Sequence, residues 1–211
     1  MNKLCFVAAM FVVGSLASVG AQAKSPTGVG ELQLGMAQSA VEALNSASST
    51  YPVTPLTPYV YKDGSKPKPG EESYDVKLHL PFSQEPLKGV LTFKSGKLIG
   101  IYVNLSATIS YLDVVKSEIA SKYGRPKVDD SMQERQCVYR NGANFKLPHG
   151  STSYTWSGTM ENGEHVEVIA TRFTISMCPF DLRYGGAEPT NVDSLTISLI
   201  HTESTSTSNP F

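Results

Sequence analysis

Residues 90–105 read VLTFKSGKLIGIYVNL, in which two apolar stretches flank the dipeptide Ser95-Gly96. A two-residue turn ending in glycine between two β-prone stretches is typical of a β-hairpin. We therefore predict antiparallel strands over 90–94 and 97–105. Period-two alternation predicts one shared face for four apolar residues of the second strand: Ile99, Ile101, Val103 and Leu105.

The strand pattern recurs on both sides of this hairpin. Residues 74–82 alternate apolar and polar side chains, which is typical of a half-buried strand. Asn162-Gly163 predicts a second hairpin turn. Further strands are predicted over 134–140, 152–158, 164–175 and 192–200.

Two segments have helical periodicity instead. The weaker one covers 37–46 and the stronger one covers 111–123, whose apolar residues form one stripe. Ser110 is a candidate N-cap for the stronger helix, and Gly124 and Pro126 predict its end. The predicted fold class is α+β: a mainly antiparallel sheet with two helices packed on it.

The order of elements, a helix followed by strands, occurs twice along the chain. A single α+β domain over 24–200 is therefore the first hypothesis, and two tandem helix-plus-sheet modules over 28–105 and 106–200 are the alternative. The Ser/Thr-rich segment 201–211 is expected to be a flexible tail.

The composition is that of a globular protein, with 40% apolar and 18% charged residues. Eighteen basic residues against nineteen acidic ones give a formal net charge of −1. Such a chain has no strong positive field to attract phosphate backbones, so we predict no nucleic-acid partner.

The first residues predict export. Lys3 precedes an uninterrupted run of apolar and small residues from Leu4 to Gly20, and Ala21-Gln22-Ala23 has the small-x-small pattern of a signal-peptidase site. We predict a signal peptide over 1–23; a membrane anchor is the alternative, although the run is short and diluted by Gly and Ser. The mature chain is then expected to have no integral membrane segment and to be periplasmic or secreted.

Export changes the interpretation of the cysteines. Removal of the signal peptide leaves only Cys137 and Cys178. In an oxidising compartment an isolated pair predicts a disulfide rather than a metal or redox site.

Motifs that carry chemistry are largely missing from the sequence. The four histidines, His79, His149, His165 and His201, have no metal-binding helical spacing, and the mature chain has no GxSxG, P-loop or GxGxxG motif. His165 and Glu167 share a strand face, which a solvated strand explains as well as a metal does. We therefore predict no catalytic residues, no metal and no cofactor, and a protein that is not an enzyme.

Aromatic residues supply the candidate contact surfaces. Tyr59 and Tyr61 lie in the proline-rich segment 51–70, which is predicted to be an extended loop; they either contact a partner or cover the sheet edge. Tyr154 and Trp156 share a face of one predicted strand. They are either core residues or, if they point outward, a partner-binding surface.

Two short motifs resemble a known group of modules. Residues 30–36, GELQLGM, followed by AVEAL at 40–44, resemble the opening of small bacterial envelope modules, namely the BamE (SmpA/OmlA) lipoprotein domain and the tandem modules of the β-lactamase-inhibitor-protein type. The helix exit KYGRP at 122–126 is similar to that of the same modules. The resemblance implies a helix layer on an antiparallel sheet and a role in binding protein or envelope components.

Three functional hypotheses follow. The favoured one is an exported, non-enzymatic binding protein of the bacterial envelope that grips a protein partner, as an inhibitor, immunity or assembly factor does. The second is a hydrolase whose site is assembled from distant residues. The third is a carrier of a small ligand or lipid.

Overall fold

The computed structural model describes residues 26–61, 66–106, 110–138, 142–178 and 189–200. The predicted signal peptide 1–23 and the predicted tail 201–211 lie outside these residues. The described part forms two helices and twelve strands: β1 Gly28–Val29, β2 Leu32–Gln33, α1 Gln38–Glu42, β3 Tyr51–Pro52, β4 Thr57–Pro58, β5 Glu71–His79, β6 Leu87–Lys94, β7 Lys97–Asn104, α2 Leu112–Tyr123, β8 Lys127–Asp130, β9 Gln133–Val138, β10 Asn144–Thr159, β11 His165–Ile175 and β12 Thr190–Ile200.

One antiparallel sheet dominates the fold. Its strands follow the order β3-β5-β6-β7-β12-β11-β10-β8, with β4 also paired to β5 and β9 also paired to β10. The α+β class with a mainly antiparallel sheet is confirmed. The pairing of β12 with β7, which places Ile197 opposite Ile101, joins strands from both halves of the chain in this sheet. Tandem modules stay a prediction.

The hairpin at Ser95-Gly96 is confirmed. Both turn residues have positive φ, 51° at Ser95 and 72° at Gly96, which matches the twist of two antiparallel strands. The expectation for Ile99 is wrong. The register shifts there, with Phe93 opposite Leu98 and Thr92 opposite Gly100, so Ile99 is an extra residue and Leu98 takes the buried position.

The core lies on one face of the sheet, beneath the helices. Helix α2 packs on β11 and β12 and buries Leu112 and Val115. The sheet contributes buried apolar residues from its central strands: Leu78, Leu91, Phe93, Ile101, Val103, Val168, Leu195 and Ile197. The opposite face of the sheet carries the alternate residues and is open.

The helix ends differ in detail from the predictions. Helix α1 covers only Gln38–Glu42, because the chain leaves the helical path before an Asx turn in which the Ala47 amide donates to Asn45 Oδ1 at 3.0 Å. Tyr111, rather than Ser110, occupies the N-cap position of α2. The Ser110 hydroxyl donates instead to the Asp193 carboxylate, while the Leu112 amide approaches Ser110 Oγ at 3.3 Å.

Two segments over which no strand is predicted contain strands. The proline-rich segment, expected to be an extended loop, includes β3 and β4, which pair with β5 for two residues each. Residues 127–130 form β8, and all four are exposed at the edge of the sheet. Within the described ranges, no helix is long and apolar enough to cross a membrane.

Candidate functional site

The open face of the sheet is covered with short hydroxyl side chains. The registers place Tyr102 of β7 beside Thr196, and Thr196 beside Ile169, in one row across the sheet. The hydroxyl residues of this face include Ser73, Thr92, Ser153, Thr155, Ser157, Thr171, Ser194, Thr196 and Ser198. Short side chains lose little conformational entropy on ordering, so such a face can be covered by another surface at low entropic cost.

A hollow of about 500 Å³ lies at the β5–β7 end of this face. We call it the tyrosine hollow, since Tyr59, Tyr61 and Tyr102 line it. Ser73, Val90 and Thr92 line it as well, and the exposed Lys66 and Lys68 are also among its lining residues. A second depression of about 260 Å³ continues from it towards β12 and shares Val90, Thr92 and Tyr102.

The first wall of the tyrosine hollow is built by the proline-rich segment. The Tyr59 amide donates to Ser73 O at 2.9 Å, directly after β4, and the Tyr61 hydroxyl donates to Ser73 Oγ at 2.9 Å. The two tyrosine rings meet edge to face with centroids 5.0 Å apart. Pro58 between two strand contacts restricts the backbone, so both rings are held against the sheet.

Tyr102 forms the second part of the tyrosine hollow. It is 38% exposed although its strand β7 lies inside the sheet, between β6 and β12. Burial raises the pKa of its phenol, and the nearby Tyr59 raises that pKa further. The phenol is therefore neutral at physiological pH, able to donate and accept a hydrogen bond beside an apolar ring face.

The structure separates the predicted aromatic contact residues. Tyr59 and Tyr61 lie together in the tyrosine hollow, whereas Tyr154 and Trp156 lie on the opposite, helix-covered face. Trp156 is 4% exposed and its Nε1 donates to Gly124 O at 2.9 Å. Trp156 is therefore a core residue, which is the first of the two interpretations given for it, and not part of an exposed partner surface.

Tyr154 belongs to the packing of α2 on the sheet. The Lys116 ammonium lies 4.1 Å from the centre of its ring, a cation–π contact. Lys116 also bonds Asp113 at 3.0 Å. Burial lowers the pKa of Lys116, but the hydrogen bonds to Asp113 and Tyr154 outweigh it, and the net shift is upward.

Cys137 and Cys178 are at disulfide distance, as expected. The Cα atoms of Cys137 and Cys178 lie 5.3 Å apart and their sulfur atoms 2.13 Å apart. The link joins the β9–β10 ribbon to the chain that follows β11. Arg135 supports the same junction, because its Nη1 donates to Ser176 O at 3.1 Å.

An ion pair between β11 and β12 also anchors the segment that precedes α2. Asp193 of β12 has a side chain only 1% exposed and accepts two hydrogen bonds from Arg172, at 2.9 Å from Nε and 3.0 Å from Nη2. Ser110 donates a third. The Asp193 amide donates to Ser106 Oγ at 2.6 Å, so both ends of the segment before α2 are attached to β12.

The three histidines that the structure describes lie apart from one another. His79 stacks on Tyr51 with centroids 5.1 Å apart, and His149 contacts Phe173 at 6.1 Å. His165 lies 3.2 Å from Thr159 Oγ1, and His201 is outside the described residues. In the part of the chain that the structure describes, no group of three or more His, Cys, Asp or Glu could hold a metal.

A narrower cleft lies on the helix side. It has a volume of about 100 Å³ and is lined by Val29, Phe82, Ile119 and Tyr123 among others. Ligand sites for small molecules are typically several times larger. The tyrosine hollow is therefore the better candidate site.

Sequence reasoning missed Tyr102. The signal was present, because assigning Ile101 and Val103 to the core places the residue between them on the open face. What the sequence did not reveal is that the proline-rich segment returns across β5 to place Tyr59 near Tyr102.

Comparisons of the chain with known proteins found no significant match to any protein family, curated protein or solved structure.

Proposed function

We propose that this chain is an exported, non-enzymatic binding protein of the bacterial envelope that grips a protein partner through the tyrosine hollow. The observation that carries the proposal is the placement of Tyr59, Tyr61 and Tyr102 around one open depression on a hydroxyl-rich sheet face. Tyrosine is enriched among the residues that dominate binding energy, because it buries a large rigid ring and keeps a polar end.

Two features support a periplasmic or secreted location. The first residues have the pattern of a signal peptide, with Lys3 before an apolar run and Ala21-Gln22-Ala23 at its end. Cys137 and Cys178 lie at disulfide distance, which suits an oxidising compartment. An inhibitor, immunity or assembly factor is the partner-binding role we favour for such a protein.

The test is site-specific photo-crosslinking in the cells that produce the protein. A benzoylphenylalanine replaces Tyr102 in one variant and Val114 in the control; Val114 is 46% exposed on α2, which packs on the other face of the sheet. We expect one discrete adduct with the probe at 102 and none with the probe at 114. Tyr102→Ala should weaken binding of that partner at least about tenfold.

No adduct at position 102, or equal adducts at both positions, would overturn the proposal. A probe at Tyr59 provides a second test, because it enters the same depression and must capture the same protein.

A further inference from the structure

The open side of the sheet carries two pairs of lysines, and within each pair the two like charges lie opposite each other on neighbouring strands. Lys77 lies directly opposite Lys88, and Lys94 lies directly opposite Lys97. All four side chains are exposed. Like charges at directly opposed positions of an antiparallel pair destabilise the sheet, so this arrangement lowers the stability of the isolated protein.

The two pairs lie at opposite ends of strand β6. Lys94 is six positions beyond Lys88, which corresponds to about 20 Å along an extended strand. The tyrosine hollow lies between the two ends, because Val90 and Thr92 form part of its floor. The hollow is thus flanked by positive charge on both sides.

The carboxylates nearby leave an excess of positive charge. Glu71 lines the tyrosine hollow and is opposite Lys94, Asp75 is opposite Val90, and Glu85 lines the same depression as Lys77 and Lys88. Among the described residues of this region, six lysines outnumber these three carboxylates: Lys66, Lys68, Lys77, Lys88, Lys94 and Lys97. The whole chain has a formal charge of −1, so the excess is local.

We propose that the partner presents an acidic protein surface, with carboxylates that meet the two lysine pairs and a side chain between them that enters the tyrosine hollow. This inference rests on the proposed function. An aromatic centre with a charged rim is the usual anatomy of a protein interface. Partner carboxylates would relieve the repulsion within each pair and speed association by long-range attraction.

A flat anionic membrane suits this surface less well. It would meet the exposed lysines but would not supply a discrete side chain for a depression walled by Tyr59 and Tyr61. Anionic lipid is therefore the outcome that the test must separate from acidic protein.

The experiment compares three probes: a glutamate–tyrosine copolymer, dextran sulfate, and vesicles of phosphatidylethanolamine with phosphatidylglycerol. The proteins are the wild type, Tyr102→Ala, a patch variant and a control variant with the same change in net charge. The patch variant is K77Q/K88Q/K94Q/K97Q. The control variant is K122Q/R125Q/K127Q/K146Q, at four exposed positions elsewhere.

We expect the copolymer to bind the wild type and the control variant alike, within about twofold, and to bind the patch variant at least about tenfold more weakly. Added salt should weaken the wild-type complex and have a smaller effect on the patch variant. Tyr102→Ala should also weaken copolymer binding. The thermal midpoint of the patch variant should equal or exceed that of the wild type, so weaker binding cannot be ascribed to unfolding.

Equal loss of binding in the patch and control variants, no binding of the copolymer, or equally tight binding of dextran sulfate or the vesicles would overturn the inference. Failure here is distinct from failure of the proposed function. A partner captured at Tyr102 whose binding does not depend on the four lysines refutes the acidic surface alone.

Discussion

The ion pair of Arg172 and Asp193 allows an asymmetric prediction, because its two members differ in burial. The Asp193 side chain is 1% exposed, while that of Arg172 is 33% exposed. Arg172→Leu leaves a carboxylate that is almost fully enclosed and keeps only Ser110 as a side-chain donor. Asp193→Asn leaves a guanidinium that water can reach.

The magnitudes follow from that difference. Removing one partner of a buried pair costs about 3–5 kcal/mol when the remaining charge is enclosed, and the hydrogen bond that Ser110 still donates to Asp193 favours the lower end. We expect Arg172→Leu to lower the free energy of unfolding by about 3 kcal/mol and Asp193→Asn by about 1–2 kcal/mol. For a chain of this size the first change lowers the thermal midpoint by about 6–12 °C.

Urea unfolding of the two single variants and the double variant tests the reasoning. The double variant should be more stable than Arg172→Leu alone, since it no longer contains an uncompensated buried carboxylate. Equal costs for the two single variants would refute the asymmetry, and a double variant whose cost is the sum of the two would show that the pair is not coupled.

Three further outcomes are expected. Cys137→Ser or Cys178→Ser should lower the free energy of unfolding by about 2–4 kcal/mol because a long loop is no longer closed, and denatured, unreduced mature protein should show no free thiol in a titration. Trp156→Phe should cost about 1–2 kcal/mol in chemical unfolding, through the lost bond to Gly124 O and lost contacts; a cost near zero would contradict the core placement. Tyr102 should ionise at higher pH than an ordinary tyrosine, as the difference between wild-type and Tyr102→Phe tyrosinate absorbance will report. The folded-state pKa is raised above the unfolded one. The contribution of this phenol to stability is therefore complete below about pH 10 and is lost as the pH rises through the folded pKa.

The parts of the fold that the sequence predicted are those with strong local signals. Ser95-Gly96 specifies its turn through backbone conformation. The end of α2 at Gly124 is likewise a local property, since this residue has φ 83° where other residues are strained. Each of these features depends on a few neighbouring residues, so periodicity and turn chemistry reveal it.

The features that were missed depend on contacts distant in sequence. The bulge at Ile99 is visible only in the pairing of β6 with β7, because alternation along one strand gives no sign of an inserted residue. Strand β8 has four exposed residues and no buried face, so it lacks a hydrophobic pattern. Ser110 has a typical capping side chain, yet Asp193, which is far along the chain, provides a charged acceptor for its hydroxyl. The candidate site shares this property, because Tyr59, which directly follows β4, and Tyr102 of β7 are far apart in the sequence.

Strand β12 has a consequence for the order in which the molecule can form. It is the last described strand in the sequence, yet it lies inside the sheet, between β7 and β11. Until residues 190–200 arrive, β7 and β11 each present a row of unpaired amide and carbonyl groups, which are templates for pairing with other chains. A growing chain therefore consists of two unfinished sheets, and the insertion of one strand removes both aggregation-prone edges in a single late step.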